Sequence, residues 1–293
     1  MKSRNKVLSR ILTGIVFLFL YLPIAVLIVF SFNSSKSRTV WSGFTLDWYR
    51  ELFQDSAILS ALSTTLLVSL LAAVLATILG TAAAIGFAKM RRRPRKIFMT
   101  INNIPMTNAD IITGVSLMLL FVFGFGALNG LFASLGWGIK LSLGFGTLLI
   151  AHITFNVPYV ILSVNPKLHQ LDKNLAEAAQ DLGATPWQAF WHVVLPELRP
   201  GIVNGLITAF TLSIDDFVIS YFTAGSNVST LAMEIYSMTR RRISPEINAL
   251  STLLFVTVLT LLIVINVREI HQEQARAKQL RALRKDGNKE GMQ

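Results

Sequence analysis

The sequence predicts an all-α integral membrane protein with six transmembrane helices, and three observations carry that reading. Of its 293 residues, 53% are hydrophobic and the mean hydropathy is +0.55, too apolar for a soluble domain of this length. Six apolar runs reach the roughly 20 residues that a helix needs to cross a bilayer core. They cover approximately 11–32, 58–87, 98–123, 143–164, 201–222 and 246–267. The basic residues are also one-sided. With six spans, the N-terminus, the second and fourth loops and the tail share one side and hold 20 of the 27 Lys and Arg, leaving 7 opposite. That excess puts both termini in the cytoplasm.

The same placement explains the net charge of +11. The basic runs, such as Lys89-Met90-Arg91-Arg92-Arg93-Pro94-Arg95-Lys96, sit at the ends of spans. They read as topology anchors, and no nucleic-acid partner is expected. The chain has no cysteine, which excludes a disulfide framework and a thiolate metal site. No metal site of any kind is expected.

Taken in order, the first run follows Lys2, Arg4, Lys6 and Arg10. It is too long for the apolar core of a signal peptide and lacks a small-residue cleavage site, so it reads as an uncleaved span. The outer loop after it carries Phe44 to Phe53, in which Leu46, Tyr49 and Phe53 fall on one helical stripe. A short helix on the outer surface is expected. It could dock an external protein or anchor Trp48 and Tyr49 in the interface. The second run contains Gly80-Thr81-Ala82-Ala83-Ala84-Ile85-Gly86; such small residues let helix backbones approach closely, so it should be an interior helix. Three regions follow: an N-terminal span and outer loop at 1–57, a membrane body at 58–267, and a basic cytoplasmic tail at 268–293.

The third and fifth runs carry carboxylates. Asp110, Asp215 and Asp216 lie inside apolar runs, while no Lys or Arg lies within any run. A carboxylate at the centre of a spanning helix costs about 2.5–3.5 kcal/mol even on lenient scales, so such groups turn to the bundle interior or to a water-filled path. Pro105 should bend the third run. As a continuous helix, that run would hold Asp110 about 18 Å from its cytoplasmic end at 1.5 Å per residue. Asn103, Thr107, Asp110 and Gly114 then make one polar stripe. Asn204, Thr208, Thr211 and Asp215 make a second, flanked by Ala209, Ser213, Asp216 and Ser220. Stripes with only negative charge predict a lumen that attracts cations. Asp110, Thr211, Asp215, Asp216 and Trp48 are the candidate path residues. His152, alone in the fourth run, reads as a helix-packing group.

Between the fourth and fifth runs lies the longest polar interruption, with its centre at 170–199. Ala176 to Ala179 favour helix, and Gly183 suits the left-handed residue that ends one. Thr185 can cap the next helix, with Pro186 at its first position. Trp187, Phe190, Trp191 and Val194 form one apolar stripe on it.

The spacing Glu177-Ala178-Ala179, three residues, Gly183, nine residues, Val193, one residue, Leu195-Pro196 resembles the EAA loop of ABC importer permeases. The family's isoleucine is Val193 here. Leu212 to Phe222, Met233 to Met238 and Ser244-Pro245-Glu246-Ile247-Asn248-Ala249 look like the inner-membrane permeases of polyamine (spermidine/putrescine) importers, of the PotC type. The resemblance implies a type I ABC importer (MetI-like) fold in the bacterial inner membrane, with a cytoplasmic coupling loop that docks on an ATPase. Glu177, Ala178, Ala179, Gly183, Trp187, Phe190, Trp191, Leu195 and Pro196 would form that contact. It also implies a second, PotB-like permease, two PotA-like ATPases and an extracytoplasmic PotD-like binding protein.

No Gly-Lys-Ser or Gly-Lys-Thr occurs, so ATP and Mg would be bound by the separate ATPase and this chain would need no cofactor. It would be a non-catalytic permease subunit. Another small solute, such as an organic cation, an opine or a metal complex, is the near alternative. An intramembrane aspartyl protease also needs paired membrane carboxylates, but its Gly-x-Gly-Asp context is absent here.

Overall fold

The computed structural model describes residues 2–35, 40–138, 140–172, 174–241 and 246–260, together with Ile263 and Val267. The expected tail at 268–293 and the Ser244-Pro245 pair lie outside the described residues. The described chain is helical, with a single antiparallel bridge between Asn33 and Phe44. It divides into two compact units, Met1–Asp55 with Met238–Gln293, and Ser56–Ser237.

In the first unit, α1 runs Lys2–Phe30, and its Ser9–Phe30 part is long and apolar enough to span a bilayer. The loop after it is knitted by side chains. Asn33 donates through Nδ2 to the Val40 carbonyl at 2.8 Å and accepts at Oδ1 from Ser42 N at 3.0 Å. Ser31 Oγ and the Tyr49 hydroxyl are 2.7 Å apart. The expected outer helix is present as α2 (Asp47–Leu52), but its packed face differs from the expected one. Trp48 and Leu52, four residues apart, are buried, whereas Leu46 and Phe53 stay exposed. The tryptophan wins because its indole N–H donates to the Asn33 carbonyl at 2.7 Å, tying the helix to the loop. A further apolar helix, α12, runs Glu246–Thr260.

The second unit is built on α6 (Phe145–Gln170), which packs against α3 (Ser56–Lys89) and α9 (Leu195–Ile214). Ala73, Ala76, Ala84, Val160, Ile161, Val164 and Ala209 form their shared core. Small residues set the spacing. A Cβ added at Gly80 would lie 2.7 Å from Val160 Cβ, and one at Gly201 would lie 3.0 Å from the Ser163 carbonyl. The interior placement read from the small residues of the second run is therefore what the packing shows.

Three helices of this unit have spanning length and hydropathy: α3, α5 (Asp110–Ser134) and α6. With α1 that makes four among the described residues, where the sequence predicts six. The fifth run appears as α9 and a short α10 (Val218–Thr223) separated by residues 215–217. The sixth is described in full only as far as Thr260.

The third run also departs from expectation. It is two helices, α4 (Arg92–Thr107) and α5, because Asn108 and Ala109 turn extended at ψ 152° and 138°. Pro105 withdraws a backbone donor within the last turn of α4, and Asn108 N closes that helix on the Ile104 carbonyl. Asp110 thus opens a new helix, and neither the unbroken stripe from Asn103 to Gly114 nor the 18 Å placement holds. α11 (Leu231–Arg241) begins in this unit.

The close approach at Gly80 makes a direct prediction. Gly80→Val should lower the thermal midpoint of the purified protein, at a cost of roughly 1–3 kcal/mol for overpacking. Gly86→Ala, which meets nothing within 4 Å, should leave the midpoint unchanged in the same melts.

Candidate functional site

The two helix breaks bring the membrane carboxylates to defined positions. Asp110 is the first residue of α5, where its charge complements the helix dipole. Four residues on, Gly114 packs so tightly on α10 that an added Cβ would meet Phe222 at 3.0 Å and the Val218 carbonyl at 3.4 Å. The start of α5 therefore lies beside the start of α10. Asp215 ends α9 as its C-cap, and Asp216 precedes α10. Asp110 and Asp215 are both exposed.

The adjacent pair does not behave as one unit. The Asp216 carboxylate is about nine-tenths buried and accepts from Ser220 N at 2.8 Å, Ser220 Oγ at 2.9 Å and Ile219 N at 3.3 Å. It lies 3.5 Å from His152 Nε2 of α6. These contacts account for Asp216 as the group that satisfies the free amides of α10. Its neighbouring stripe is packed too, since Ala209, Ser213 and Ser220 are buried. The two expected path carboxylates thus have different surroundings: the chain hydrogen-bonds Asp216 and leaves Asp215 exposed. Thr211 is half-buried and donates to the Ile207 carbonyl at 2.9 Å. Trp48 is 7% exposed and occupied in its loop.

Aromatic rings that the sequence reading did not single out cluster two residues beyond Asp215. Phe217 lies 4.6 Å from Tyr236 and 5.5 Å from Tyr221 between ring centroids. Tyr221 and Tyr236 keep substantial exposure. The signal was present in the Phe217–Tyr221 spacing of four, but Tyr236 comes from another helix and spacing alone could not bring it there.

The polar loop forms the helical knob that its residues predict. α7 (Leu175–Asp181) ends at Gly183, whose φ of +92° is left-handed. A capping box starts α8 (Pro186–Ala189): Thr185 Oγ1 accepts from Gln188 N at 3.3 Å, and Gln188 Oε1 accepts from Thr185 N at 2.9 Å. A π-helical turn (Phe190–Val194) then joins α8 to α9, which carries Leu195 and Pro196 in its first turn. Trp187, Phe190 and Trp191 make one aromatic cluster with centroids 5.5–6.2 Å apart. The stripe divides by role. Trp187 and Trp191 are 68% and 47% exposed. Phe190 and Val194 instead wall a cavity of about 450 Å³ shared with Lys89, Arg95 and His169. Glu177 and Ala178 are exposed, and Ala179 is half-buried.

Residues 76–272 match the family described as "Binding-protein-dependent transport system inner membrane component". The chain belongs to that family. Among its relatives is the Escherichia coli K12 protein "Putrescine transport system permease protein PotI", 39% identical over 81% of this chain and 82% of that one. The "Spermidine/putrescine transport system permease protein PotC" of the same strain is 34% identical over 87% and 93% of the two chains. The PotC of Haemophilus influenzae is 34% identical over 85% and 91%. Two solved structures share the fold: a bacterial ABC transporter involved in the import of alginate, at TM-score 0.66 and 16% identity over 90% of this chain and 96% of that one, and a bacterial alginate ABC transporter in complex with a pentasaccharide-bound periplasmic protein, at 0.68 and 20% over 90% and 93%. The type I importer permease architecture expected from the loop motif is therefore the observed one.

The unequal carboxylates can be tested because the chain has no native cysteine. A single cysteine replacing Asp215 should react with a cationic thiosulfonate at least about ten times faster than one replacing Ser220, as followed by mass shift in the purified protein.

Proposed function

We propose that this permease forms half of the translocation path of an ATP-driven polyamine importer and that Asp215 and Asp110 contact the passing cation. One observation carries the reading. The breaks in the third and fifth spans leave two exposed carboxylates beside exposed aromatic rings, in spans that hold no Lys or Arg. Carboxylates pair with ammonium groups, and aromatic faces attract them through the ring quadrupole. Interrupted helices are where membrane transporters build such sites, because irregular backbone is tolerated only where it lines a cavity or protein. The relatives named for putrescine and spermidine carry the same assignment of cargo class.

In this reading the knob at 170–199 is cytoplasmic and docks on a separate ATPase. Trp187 and Trp191 insert, while Glu177 and the Gly183 turn fix its shape. The chain itself hydrolyses nothing. A second permease completes the path, and an extracytoplasmic binding protein delivers the cargo near the outer loop that Trp48 anchors. The division into 1–57, 58–267 and a tail at 268–293 belongs to the same proposal.

Uptake of labelled spermidine and putrescine by proteoliposomes holding the whole complex tests the cargo, with unrelated organic cations as competitors. Uptake should be competed by polyamines and not by those cations; the reverse pattern would reassign the solute. Asp215→Asn should slow polyamine uptake by roughly ten- to a hundredfold, the loss of one charge-assisted contact of about 1.5–3 kcal/mol. Trp187→Ala with Trp191→Ala should strip the ATPase from the complex during affinity purification, whereas Phe190→Ala should retain it.

A further inference from the structure

Three buried side chains of α6 reach the interrupted fifth span at three successive levels. Thr147 Oγ1 donates to the Thr223 carbonyl at 2.7 Å. His152 Nε2 lies 3.0 Å from Ser220 Oγ and 3.5 Å from Asp216 Oδ2. Asn156 Nδ2 donates to Ser213 Oγ at 2.7 Å. Thr147, His152 and Asn156 are all buried, as are Ser213, Ser220 and Thr223. The three side chains lie nine steps apart from first to last along α6, about 13.5 Å at 1.5 Å per residue. The grip straddles the break: Ser213 belongs to α9, Asp216 to the interruption, and Ser220 and Thr223 to α10. Asp215 is the one acidic group there that it leaves exposed.

Apolar packing alone would let a six-residue helix slide or turn, because dispersion contacts have little direction. Hydrogen bonds weaken steeply away from linearity, so three of them at different heights accept one register. His152 is the middle member and the one that reaches both the short helix, through Ser220, and the carboxylate that caps it.

We propose that His152 is a positioning residue for cation passage. It fixes the start of α10 on α6 and thereby holds the neighbouring Asp215 carboxylate toward the open side of the break. The inference rests on the reading of Asp215 as a polyamine contact. His152 itself touches no cargo. Leucine at this position keeps the bulk and withdraws the ring nitrogen, leaving the buried Asp216 carboxylate short of a partner. Glutamine keeps a nitrogen donor near the place of Nε2.

The test uses the full complex in proteoliposomes at saturating cargo-loaded binding protein, and compares polyamine uptake with ATP hydrolysis. His152→Leu should keep ATP hydrolysis within about twofold and lower uptake per ATP at least fivefold, and His152→Gln should restore most of that ratio. Uptake and hydrolysis that fall together, in His152→Leu and His152→Gln alike, would mark a folding role only and overturn the proposal. Unchanged uptake per ATP in His152→Leu would overturn it as well. A second measurement needs no assumption about cargo: the reaction rate of a lone cysteine replacing Asp215 with a cationic thiosulfonate. That rate should change at least fivefold when His152→Leu is added, and equal rates would refute the positioning role. A complex that carries no polyamine but shows the rate change would remove the cargo assignment and leave the positioning intact.

Discussion

A helix interrupted inside a bilayer leaves amide groups that hydrocarbon cannot solvate, and each one costs several kcal/mol unless the protein supplies a partner. The break at 215–217 is possible because Asp216 supplies one. Its carboxylate takes the free amides of Ile219 and Ser220 and the Ser220 hydroxyl, and His152 stands against its charge. The break at 108–109 is closed differently, without a carboxylate: Asn108 N returns to the Ile104 carbonyl, which the Thr107 hydroxyl also reaches at 3.0 Å, and Ile112 N reaches the Ala109 carbonyl at 2.9 Å. Both solutions place an acidic residue at the interruption. Only the first consumes it, which is why the neighbouring Asp215 is left open.

The breaks would be useless in a bundle that could shift around them. The glycines and alanines of α3 and α9 draw both helices onto α6 until backbone and side chain touch, at Gly80 on Val160 and Gly201 on Ser163. Lipid tails are as apolar as leucine, so apolarity alone gives no reason for helices to associate; contact area and hydrogen bonds do. α6 supplies both. Its C-terminal half offers close contact to the small residues, and its N-terminal half offers Thr147, His152 and Asn156. One helix is thereby the reference against which both the interrupted span and its open carboxylate are placed.

The knob was legible residue by residue, because caps are local chemistry. Gly183, Thr185 and Pro186 each act within four residues of themselves, and each takes the conformation its type favours. The long spans were legible from hydropathy for a similar reason. The interruptions were not, since an average over some twenty apolar residues erases two or three that leave the helix, and Pro105 inside a span reads as a bend as readily as a stop. Asp216 did carry a signal, as a carboxylate two positions ahead of Val218, of the type that accepts the free amides at a helix start. It was masked by the expectation that two adjacent carboxylates share one environment. The face of α2 was misjudged because the indole N–H of Trp48 finds a carbonyl fifteen residues away, and no periodicity reports a tertiary hydrogen bond.

From Pro186 to Ile214 the backbone never leaves helical geometry. Ala189, Val194 and Leu195 keep helical φ and ψ on either side of the wider turn at Phe190–Val194. The exposed tryptophans and the fifth-span carboxylate therefore sit at opposite ends of one continuous helical stretch, whose contour is about 43 Å at 1.5 Å per residue. A tilt of about 5° applied at the tryptophan end sweeps the far tip through roughly 4 Å by simple leverage on that length. That distance exceeds a hydrogen bond, so a small tilt at the tryptophan end changes which groups the carboxylate at the other end can reach.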